Sequence, residues 1–266
     1  MSSNAPDPEE FVSSLARGLA VIEAFGSGRE ALTLSEVARR ADISRAAARR
    51  LLLTLVTLGY AAFDGKAFSL RPRVLALGFA YLSSASIWDV ARPLLEELVR
   101  DTGESGSAAV LDGTDIVHVI RMPSARRLMS ITVKVGDRLP AHASAMGRVL
   151  LAALPKANLD AYFARARLDA ITKLTVTDPR VLRKILTGVR EQGWAEVDGE
   201  LDIGLRAVAA PVTDRDGQVV GAIALSTLSS ANDTRRRATN PLLAPLQSCA
   251  KRIEDAAARL PRLPAR

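Results

Sequence analysis

The sequence predicts an α+β protein with an N-terminal winged helix-turn-helix, a linker helix and a C-terminal domain built on an antiparallel sheet. Two short helical patterns flank Ala41-Asp42-Ile43 and a small hairpin pattern follows them, which is the element order of a winged helix-turn-helix. Further along the chain, strand patterns joined by tight turns are interleaved with helical ones, which favours an α+β domain. With 266 residues, 48% of them hydrophobic, the chain has room for two domains.

The predicted recognition helix of this motif begins after Ser44 and extends to residue 58. Ser44 is placed to cap it, because a serine hydroxyl accepts a backbone N–H that the first helical turn leaves unpaired. Arg45 and Arg49 are four residues apart and share one face. Ala46 and Ala48 beside them are expected to face outward and, being small, to leave room for the helix to enter a groove. The expected buried stripe recurs at helical spacing: Ala47, Leu51, Leu55 and Leu58.

The other elements of this motif follow from similar patterns. Helices are predicted over residues 11–25 and 35–40, and the first is expected to turn Leu15, Leu19, Ile22 and Phe25 toward the core. Asp64-Gly65 between two short apolar runs is a strong hairpin signal. Lys66 is a lone cation beside that turn, placed to contact phosphate or the minor groove. The residues expected to contact DNA are Thr33, Ser35, Ser44, Arg45, Ala46, Arg49, Arg50 and Lys66.

A solvated face is the alternative interpretation of this basic helix. Arginine pairs on helices often face only water, so the helix pair alone leaves DNA binding open. The hairpin and the absence of acidic residues between positions 43 and 58 favour DNA binding. Charge adds to this, since residues 11–85 carry ten basic and five acidic residues, against 26 and 21 over residues 86–266. A basic head on a more neutral body is typical of a protein that binds a polyanion.

Several classes of protein are disfavoured by composition. No apolar run reaches the roughly 18 residues of a membrane helix, and residues 1–10 indicate a disordered lead rather than a signal peptide. The single cysteine, Cys249, excludes an intrachain disulfide and fits a reducing cytoplasm. His118, His142 and one distant cysteine are too few for a metal cluster or a Cys–His pair. We therefore expect no enzyme activity, metal or other cofactor.

The rest of the chain predicts a linker helix and a mixed domain. The linker helix covers residues 72–85 and ends at a serine-rich break; the alternative is an ordinary core helix of one larger domain. Helices are then predicted over 87–100, 144–154, 156–165, 179–192 and 240–260, and strands over 107–111, 116–121, 129–135, 195–197, 206–213 and 218–227.

Five stretches carry a family resemblance. The head contains LARGLAVIEAF, LTLSEVARRADISRAAARRLLLTLVTLGY and FSLRPRVLALG, and the body contains LPAHASAMGRVLLAAL and DGELDIGLRAVAAPVTDRDGQVVGAIALS. These stretches resemble the IclR family of bacterial transcriptional regulators, over most of the chain from Leu15 to about Leu260. The sequences SRAAARR and RRLMSITVKVGDRLPAHASAMGRVLLAAL resemble those of the family branch that controls protocatechuate, 4-hydroxybenzoate and β-ketoadipate catabolism.

The resemblance implies a GAF/PAS-like effector domain that binds a small carboxylate in a pocket on its sheet. It also implies dimers through the heads and, often, tetramers through the bodies. Matched by motif, the pocket positions are Ala145, Met146, the stretch near Asp198, Ala207, Ala224 and Ser226. Some members have a cysteine or serine where Ala207 stands and a serine where Ala224 stands. These departures favour a larger and more apolar acid over a two- or three-carbon one.

The residues themselves suggest further contacts for a carboxylate. A helix N-terminus at Ser144, with His142 just before it, offers free N–H groups and a favourable dipole. An arginine pairs a carboxylate in a bidentate way, and Arg127 and Arg206 are the candidates, with a solvated surface charge as the alternative for each. For His142, the alternative to a ligand contact is a structural role as a hydrogen-bonded histidine. The apolar wall is expected from Leu128, Met129 and Met146, and the two methionines have core packing as their alternative.

The sequence as a whole predicts a cytoplasmic DNA-binding transcriptional regulator. It would bind double-stranded operator DNA as a homodimer or dimer of dimers, and sense an aromatic or dicarboxylic acid of a β-ketoadipate-type pathway whose genes it controls. The alternative is a GAF-type small-molecule sensor or scaffold without sequence-specific DNA binding. The expected boundaries are 1–10 for the disordered lead, 11–71 for the winged helix-turn-helix, 72–85 for the linker helix and 86–262 for the effector-binding domain.

Overall fold

The chain divides into two compact units, Met1–Ser84 and Ala85–Arg266. The structure is a computed structural model, and it describes residues 11–26, 31–78, 86–124, 133–228 and 240–259. Among these residues, no helix combines the length and the apolar character that a membrane span requires.

The N-terminal unit packs three helices against a small hairpin. The helices are α1 (Ser13–Glu23), α2 (Leu34–Arg40) and α3 (Arg45–Thr57), and the strands are β1 (Ala61–Phe63) and β2 (Phe68–Leu70). Thr33 caps α2 in a capping box with Glu36, each side chain bonding the other residue's backbone N–H. In the turn before α3, Asp42 adopts a left-handed backbone with φ 51°, a conformation that a short polar side chain tolerates.

The buried stripe of α3 differs from the predicted one by a single residue. Ala48 and Leu52 are fully buried and Leu55 nearly so, whereas Leu58 is 50% exposed. One residue rotates a helical position by about 100°. The buried face is therefore centred on Ala48 and Leu52, and Ala47 and Leu51 are only partly buried. The prediction was therefore wrong for Leu58, and also for Ala48 as an outward-facing alanine.

The displaced leucines form an apolar groove on the outside of the N-terminal unit. On α1, Val21 and Phe25 are buried, while Leu15 and Leu19 are 63% and 47% exposed, although a core face with Leu15 and Leu19 was expected. The residues lining this groove are Ser14, Leu15, Gly18, Leu19, Ile22, Leu51, Thr54, Leu55, Leu58, Tyr60 and Leu77. The apolar pattern of the two helices thus serves two surfaces, the core and the groove.

The predicted hairpin is present, with a tight turn at Asp64 and Gly65. Ala61 pairs with Leu70 and Phe63 with Phe68 in antiparallel register. The Asp64 carboxylate accepts hydrogen bonds from the backbone N–H groups of Lys66 (2.8 Å) and Ala67 (2.7 Å). These bonds, the one from Ala67 most of all, hold the pKa of Asp64 below its usual value. Gly65 has φ +96°, a conformation that side chains disfavour.

The C-terminal unit is built on a six-stranded antiparallel sheet of order β5-β4-β3-β8-β7-β6. Its strands are β3 (Ser105–Asp112), β4 (Asp115–Met122), β5 (Arg138–Pro140), β6 (Ala195–Asp198), β7 (Leu205–Thr213) and β8 (Val219–Leu228). Its helices are α4 (Ser86–Thr102), α5 (Ala145–Ala153), α6 (Lys156–Arg165), α7 (Pro179–Gln192) and α8 (Leu243–Ala257). A 3-10 turn, Ala141–Ala143, leads into α5.

The two faces of the sheet are covered by different helices. Helices α4 and α8 pack together, α8 on β7 and α4 on β3 and β4, while α5 packs on β3, β7 and β8 and against α7. Adjacent residues of β8 show the two faces, because successive side chains point to opposite sides of the sheet. A Cβ at Gly221 would meet the ring of Trp88 on α4. The next residue, Ala222, belongs to the core cluster that contains Val149 of α5.

Three predicted elements differ from the structure or lie partly outside it. Residues 129–132 of the expected strand are not among the described residues, and Val133 and Lys134 are not in a strand. β5 was missed, because three residues ending in Pro140 show no period-two pattern. Residues 75–78 of the expected linker helix are helical after the 3-10 turn Pro72–Val74, and residues 79–85 lie outside the described part.

A buried ion pair ties the loops around α5 to that helix. Arg148 of α5 is 3% exposed, and its Nη2 lies 2.6 Å from Oε2 of Glu200, whose side chain is 10% exposed. The guanidinium Nε also donates to the carbonyl oxygen of His142 (3.0 Å), and the backbone N–H of Val176 donates to Glu200 Oε2 (2.9 Å). A buried charge needs such partners, because desolvation alone would be costly.

Replacing Gly147 by alanine is expected to destabilise the protein by about 1–3 kcal/mol, the usual cost of overpacking. A Cβ at Gly147 would lie 2.1 Å from the carbonyl oxygen of Ala141, and backbone atoms cannot yield as a flexible side chain does. Gly188, inside α7, is the control, because a Cβ there meets nothing within 4 Å. Gly188→Ala should leave stability equal or raise it, by up to about 1 kcal/mol. Urea denaturation followed by circular dichroism measures both, and equal stabilities would refute the close-packing argument.

Arg148→Met is expected to lower the free energy of unfolding by about 3–5 kcal/mol, because it leaves the Glu200 carboxylate buried without its cation. Arg183→Met is the matched control, since Arg183 forms a 2.7 Å ion pair with Asp160 but both side chains are more than 40% exposed. That variant should lose no more than about 1 kcal/mol. The two variants are compared by urea titration of the full chain, and similar losses in both would show that the Arg148 pair is not energetically buried.

Candidate functional site

The C-terminal unit contains a cavity between the sheet and the N-terminal end of α5. The space between its walls, counted together with the part that opens to solvent, is about 600 Å³. The lining residues come from β3 to β8, the start of α5 and the loop before β7: Ser107, Ile116, His118, Arg121, Val133, Leu139, Ala143, Ser144, Ala145, Met146, Val197, Leu201, Leu205, Ala207, Ala224 and Ser226.

The floor of the cavity is formed by two neighbouring rows of side chains across the sheet. In one row Ser107 pairs with Arg121 on one side and with Ala224 on the other. In the next row Ala207 pairs with Val197 and with Ser226. Directly paired residues point to the same face, so each row presents its side chains together, and the alanines leave the volume that a ligand needs.

A β-bulge in β4 brings two polar side chains to the cavity. Ala108 pairs with Ile120 but Ala109 pairs with His118, so Val119 is an extra residue on β4. In a regular strand His118 and Arg121 would face opposite sides, because they are an odd number of residues apart. The bulge resets the alternation after Val119, and both side chains therefore line the cavity.

Arg121 is the cation that the structure places in the cavity. Its Nη1 donates to the Ser107 hydroxyl (3.1 Å) and, at 3.4 Å, to the carbonyl oxygen of Gly106. Burial lowers the pKa of this guanidinium, but arginine remains protonated at neutral pH. A fixed positive charge in a largely apolar cavity favours an anionic ligand, and a guanidinium matches a carboxylate in particular.

The start of α5 adds backbone donors to the same wall. The Ser144 hydroxyl accepts the N–H of Gly147 (3.0 Å) and so caps the helix. Ala145 and Met146 follow in the first turn and line the cavity, where the partial positive charge of a helix N-terminus favours anions. Gly147 allows this turn to approach the 3-10 turn at Ala141 closely, which fixes the position of the helix start.

The structure brings together six of the twelve residues expected at the effector site. These six line the cavity: Ser144, Ala145, Met146, Ala207, Ala224 and Ser226. Arg127, Leu128 and Met129 lie outside the described residues. The structure places the other three, His142, Asp198 and Arg206, elsewhere.

His142 and Asp198 are neighbours of cavity residues but do not line it. His142 is 1% exposed and its Nε2 lies 3.1 Å from the carbonyl oxygen of Asp169, which corresponds to the structural alternative. Burial lowers the pKa of its imidazole. On β6, Val197 faces the cavity, so by alternation Asp198 faces the opposite side of the sheet.

Arg206 is also on the opposite side of the sheet, next to Ala207 of the cavity. Its Nε lies 2.5 Å from Oε1 of Glu196, and Asn240 donates to the other oxygen of that carboxylate (2.7 Å). Arg206 lines a separate, smaller cleft together with Thr227 and Leu242. Of the two arginines expected to pair the carboxylate, Arg206 does not line the cavity and Arg127 lies outside the described residues. Arg121 lines the cavity and was not among the predicted contacts. Its signal in the sequence was a lone arginine in the largely apolar strand 116–122.

Other titratable groups in this unit have structural surroundings. Burial raises the pKa of the Cys249 thiol to about 11, so the thiol stays protonated and unreactive at neutral pH. Among the described residues, no cluster of histidine, cysteine, aspartate and glutamate has the composition of a metal site.

The N-terminal unit presents a second candidate surface along the outside of α3. The Ser44 hydroxyl accepts the N–H of Ala47 (3.2 Å) and caps the helix. The expected contact residues on this helix, Arg45, Ala46, Arg49 and Arg50, are all exposed, as are Ser35 on α2 and Lys66 beside the hairpin turn. Thr33 is only partly exposed, and its hydroxyl is engaged with Glu36.

Comparisons with known proteins give this chain a family. A model described as the IclR helix-turn-helix domain matches residues 14–65, and one described as the bacterial transcriptional regulator IclR C-terminal domain matches residues 79–255. Together these models cover most of the chain.

Individual relatives extend over the same length. The chain is 46% identical to the Pca regulon regulatory protein of Pseudomonas putida, over 83% of this chain and 76% of that protein. It is 37% identical to the p-hydroxybenzoate hydroxylase transcriptional activator of Acinetobacter baylyi, over 87% and 86% of the two chains. The crystal structure of an IclR homologue from Microbacterium hydrocarbonoxydans, complexed with 4-hydroxybenzoate, is 26% identical with a TM-score of 0.79, covering 92% of this chain and 98% of that one. This chain belongs to the IclR family of bacterial transcriptional regulators.

Proposed function

We propose that this protein represses or activates genes of a β-ketoadipate-type catabolic pathway in response to an aromatic or dicarboxylic acid of that pathway. The observation that supports the effector class is the cavity, which combines the Arg121 guanidinium and the α5 N-terminus with a mainly apolar lining. The names of two relatives, a Pca regulon regulatory protein and a p-hydroxybenzoate hydroxylase transcriptional activator, support the pathway. The matched helix-turn-helix domain disfavours a sensor or scaffold that does not bind DNA.

In this proposal each segment predicted from the sequence has its own function. Residues 11–71 bind operator DNA, residues 86–262 bind the effector, and the linker helix at 72–85 joins the two along the chain. An effector changes DNA affinity only to the extent that it binds two conformations of the protein differently. A cytoplasmic location is part of the same proposal, because the operator and the pathway metabolites are both found there.

Operator contacts are assigned to the exposed face of α3 and to the hairpin. Arg45 and Arg49 share one face and are placed to donate to guanine edges in the major groove, as recognition helices do. Ser35, Ser44 and Arg50 flank that face, and Lys66 beside the hairpin turn is assigned to phosphate or the minor groove. Phosphate contacts position a protein on DNA, whereas contacts to base edges give sequence specificity.

A homodimer is the assembly that the groove of the N-terminal unit supports. Leu15, Leu19 and Leu58 are 47–63% exposed and lie together in the groove, and a contiguous apolar patch of this kind is uncommon on a monomer. A second copy of the unit would bury the patch and present two copies of α3 to the two half-sites of a palindrome. A dimer of dimers through the C-terminal units is the further expectation from the family.

The double variant Arg45→Ala/Arg49→Ala is expected to weaken binding to duplex DNA from the region upstream of the protein's own gene. A bidentate contact to a base edge contributes about 1–3 kcal/mol, so the affinity should fall by roughly tenfold or more at fixed salt. Fluorescence anisotropy across a salt series gives both the affinity and the number of phosphates contacted. The same titration yields the stoichiometry, for which two protomers per operator are expected.

Arg92→Ala/Arg100→Ala is the control for that experiment. It removes the same charge from exposed positions on α4, so it tests for a non-specific effect of net charge. An unchanged affinity and salt slope in the Arg45/Arg49 variant would exclude α3 as the reading helix.

Arg121→Ala is expected to weaken the binding of 4-hydroxybenzoate, protocatechuate or β-ketoadipate to the full chain. Hydrogen bonds to charged groups contribute about 1.5–3 kcal/mol, or roughly 10- to 150-fold in affinity. Arg206→Ala is the matched control, since this arginine is one position from the cavity residue Ala207 but pairs with Glu196 on the opposite face. Isothermal titration calorimetry measures both variants. A loss in Arg206→Ala with none in Arg121→Ala would reverse the assignment.

A further inference from the structure

His118 is a polar cavity residue to which the proposed function gives no role. It lies on β4 one sheet row away from Arg121 and is 3% exposed. Its backbone N–H donates to the carbonyl oxygen of Asp137 (3.1 Å), and its own carbonyl accepts the N–H of Gly136 (2.8 Å). Its ring Nδ1 is 3.4 Å from the same Asp137 oxygen. The imidazole is therefore held in one orientation by the turn that precedes β5.

The surroundings of His118 determine which ring nitrogen carries the proton. Burial is the main cause that lowers the pKa of the imidazole, and the positive charge of Arg121 lowers it further, so the ring is neutral at pH 7. A carbonyl oxygen can only accept a hydrogen bond, and Nδ1 facing Asp137 therefore carries the hydrogen. In the neutral ring the other nitrogen, Nε2, is then an acceptor.

Nε2 opens onto the cavity. It has no hydrogen-bond partner among the described residues. Among the side-chain polar atoms of those residues, only the Tyr162 hydroxyl is both fully enclosed and without a partner, so Nε2 is not fully enclosed. Because His118 lines the cavity, the accessible nitrogen faces the space that a ligand would occupy. The cavity thus offers a cation at Arg121 and a separate acceptor at His118.

The strand positions of these two residues are spaced like the two ends of a para-substituted benzene ring. His118 pairs with Ala109, and Arg121 pairs with Ser107, so their partners on β3 are two residues apart, or about 6.6 Å along the strand. This separation is comparable to the distance between para substituents on a benzene ring. Ile116, Leu139 and Met146 provide apolar wall for such a ring.

We propose that His118 determines effector specificity: its Nε2 accepts a hydrogen bond from a hydroxyl group that lies across the ligand from the carboxylate held by Arg121. The cavity then selects hydroxylated aromatic monoacids over unsubstituted benzoates and over acyclic dicarboxylates. An unsubstituted benzoate leaves the acceptor without a partner after desolvation, which is costly. A second carboxylate brings a negative charge against the nitrogen lone pair. This inference rests on the proposed effector class and narrows it.

A series of para-substituted acids tests the inference on the unaltered full-length protein. By isothermal titration calorimetry, 4-hydroxybenzoate and 4-aminobenzoate, which both carry a donor, are compared with 4-fluorobenzoate and benzoate, which carry none, and with adipate. We expect 4-hydroxybenzoate to bind about tenfold or more tightly than 4-fluorobenzoate, with adipate binding more weakly still. Equal affinities for the hydroxy and fluoro acids, or a preference for adipate, would overturn the role of His118.

Two substitutions locate the preference. His118→Phe removes the acceptor and should reduce 4-hydroxybenzoate affinity to that of benzoate, while the affinity for benzoate itself stays within a few-fold. His118→Gln supplies an amide oxygen and should restore part of the preference. His142→Gln is the control, because His142 does not line the cavity, and it should keep the full preference. A preference that survives in His118→Phe would also overturn the inference.

A spectroscopic measurement covers the case in which the Phe variant fails to fold. The chain contains only two histidines, so ¹⁵N-labelled imidazole resonances can be assigned by comparison with His142→Gln. The His118 Nε2 resonance should be that of an unprotonated nitrogen and should shift on addition of 4-hydroxybenzoate but much less with 4-fluorobenzoate. An Nε2 that carries the proton in the free protein contradicts the proposal. If none of the acids gives a heat signal or a shift, the proposed effector class itself is wrong, an outcome distinct from equal binding of the hydroxy and fluoro acids.

Discussion

The complete burial of α5 against the sheet is the constraint on which the effector-binding unit depends. Every residue from 145 to 152 is buried, so the helix must meet a surface of small side chains. That surface consists of the alanines of β3, β7 and β8 in the same core cluster: Ala109, Ala207, Ala209, Ala222 and Ala224. Gly147 allows the closest approach, and Arg148, the only charged residue of the helix, needs Glu200 because it cannot reach water. Where this packing ends, at the first turn of α5, the cavity begins.

The chemistry of the cavity depends on one extra residue in β4. Without Val119, the alternation of the strand would point either His118 or Arg121 away from the ligand space. With the bulge, a cation and a neutral acceptor face the same cavity. On β7 a regular alternation separates adjacent residues, since Ala207 faces the cavity and Arg206 faces a carboxylate on the other side. A difference of one position therefore separates a cavity residue from a structural ion pair.

The N-terminal unit uses its apolar residues for more than its own core. Its core requires only a few large side chains, among them Val21, Leu52 and Phe68. The leucines left over on α1 and α3 form the groove, while the arginines of α3 remain exposed on another side. A small domain with so few core residues gains stability when an apolar surface is covered by a partner, which links the proposed dimer to the fold of the monomer.

The sequence by itself determined the fold class, the family and most of the helices and strands. Helical and strand periodicities, Asp-Gly turns and serine caps are local signals, so they remain readable without tertiary contacts. Helices α6 and α7 were predicted at their observed ends, because Pro155 and Pro179 mark their starts and Gly193, in a left-handed conformation, follows the end of α7. The start of α5 at Ser144 followed from its capping residue and from the family motif.

Only the tertiary structure decided which face each residue occupies. A shift of one residue rotates a helical position by about 100°, which centred the buried face of α3 on Ala48 and Leu52 and left Leu58 exposed. On a strand, a shift of one residue moves a side chain to the opposite face of the sheet, and Arg206 and Asp198 therefore lie on the face away from the cavity. A bulge leaves no mark in the composition of a strand, so the sequence could not show that His118 and Arg121 line one cavity. That pairing depends on how β3 and β4 align, a contact between strands that the order of residues does not specify.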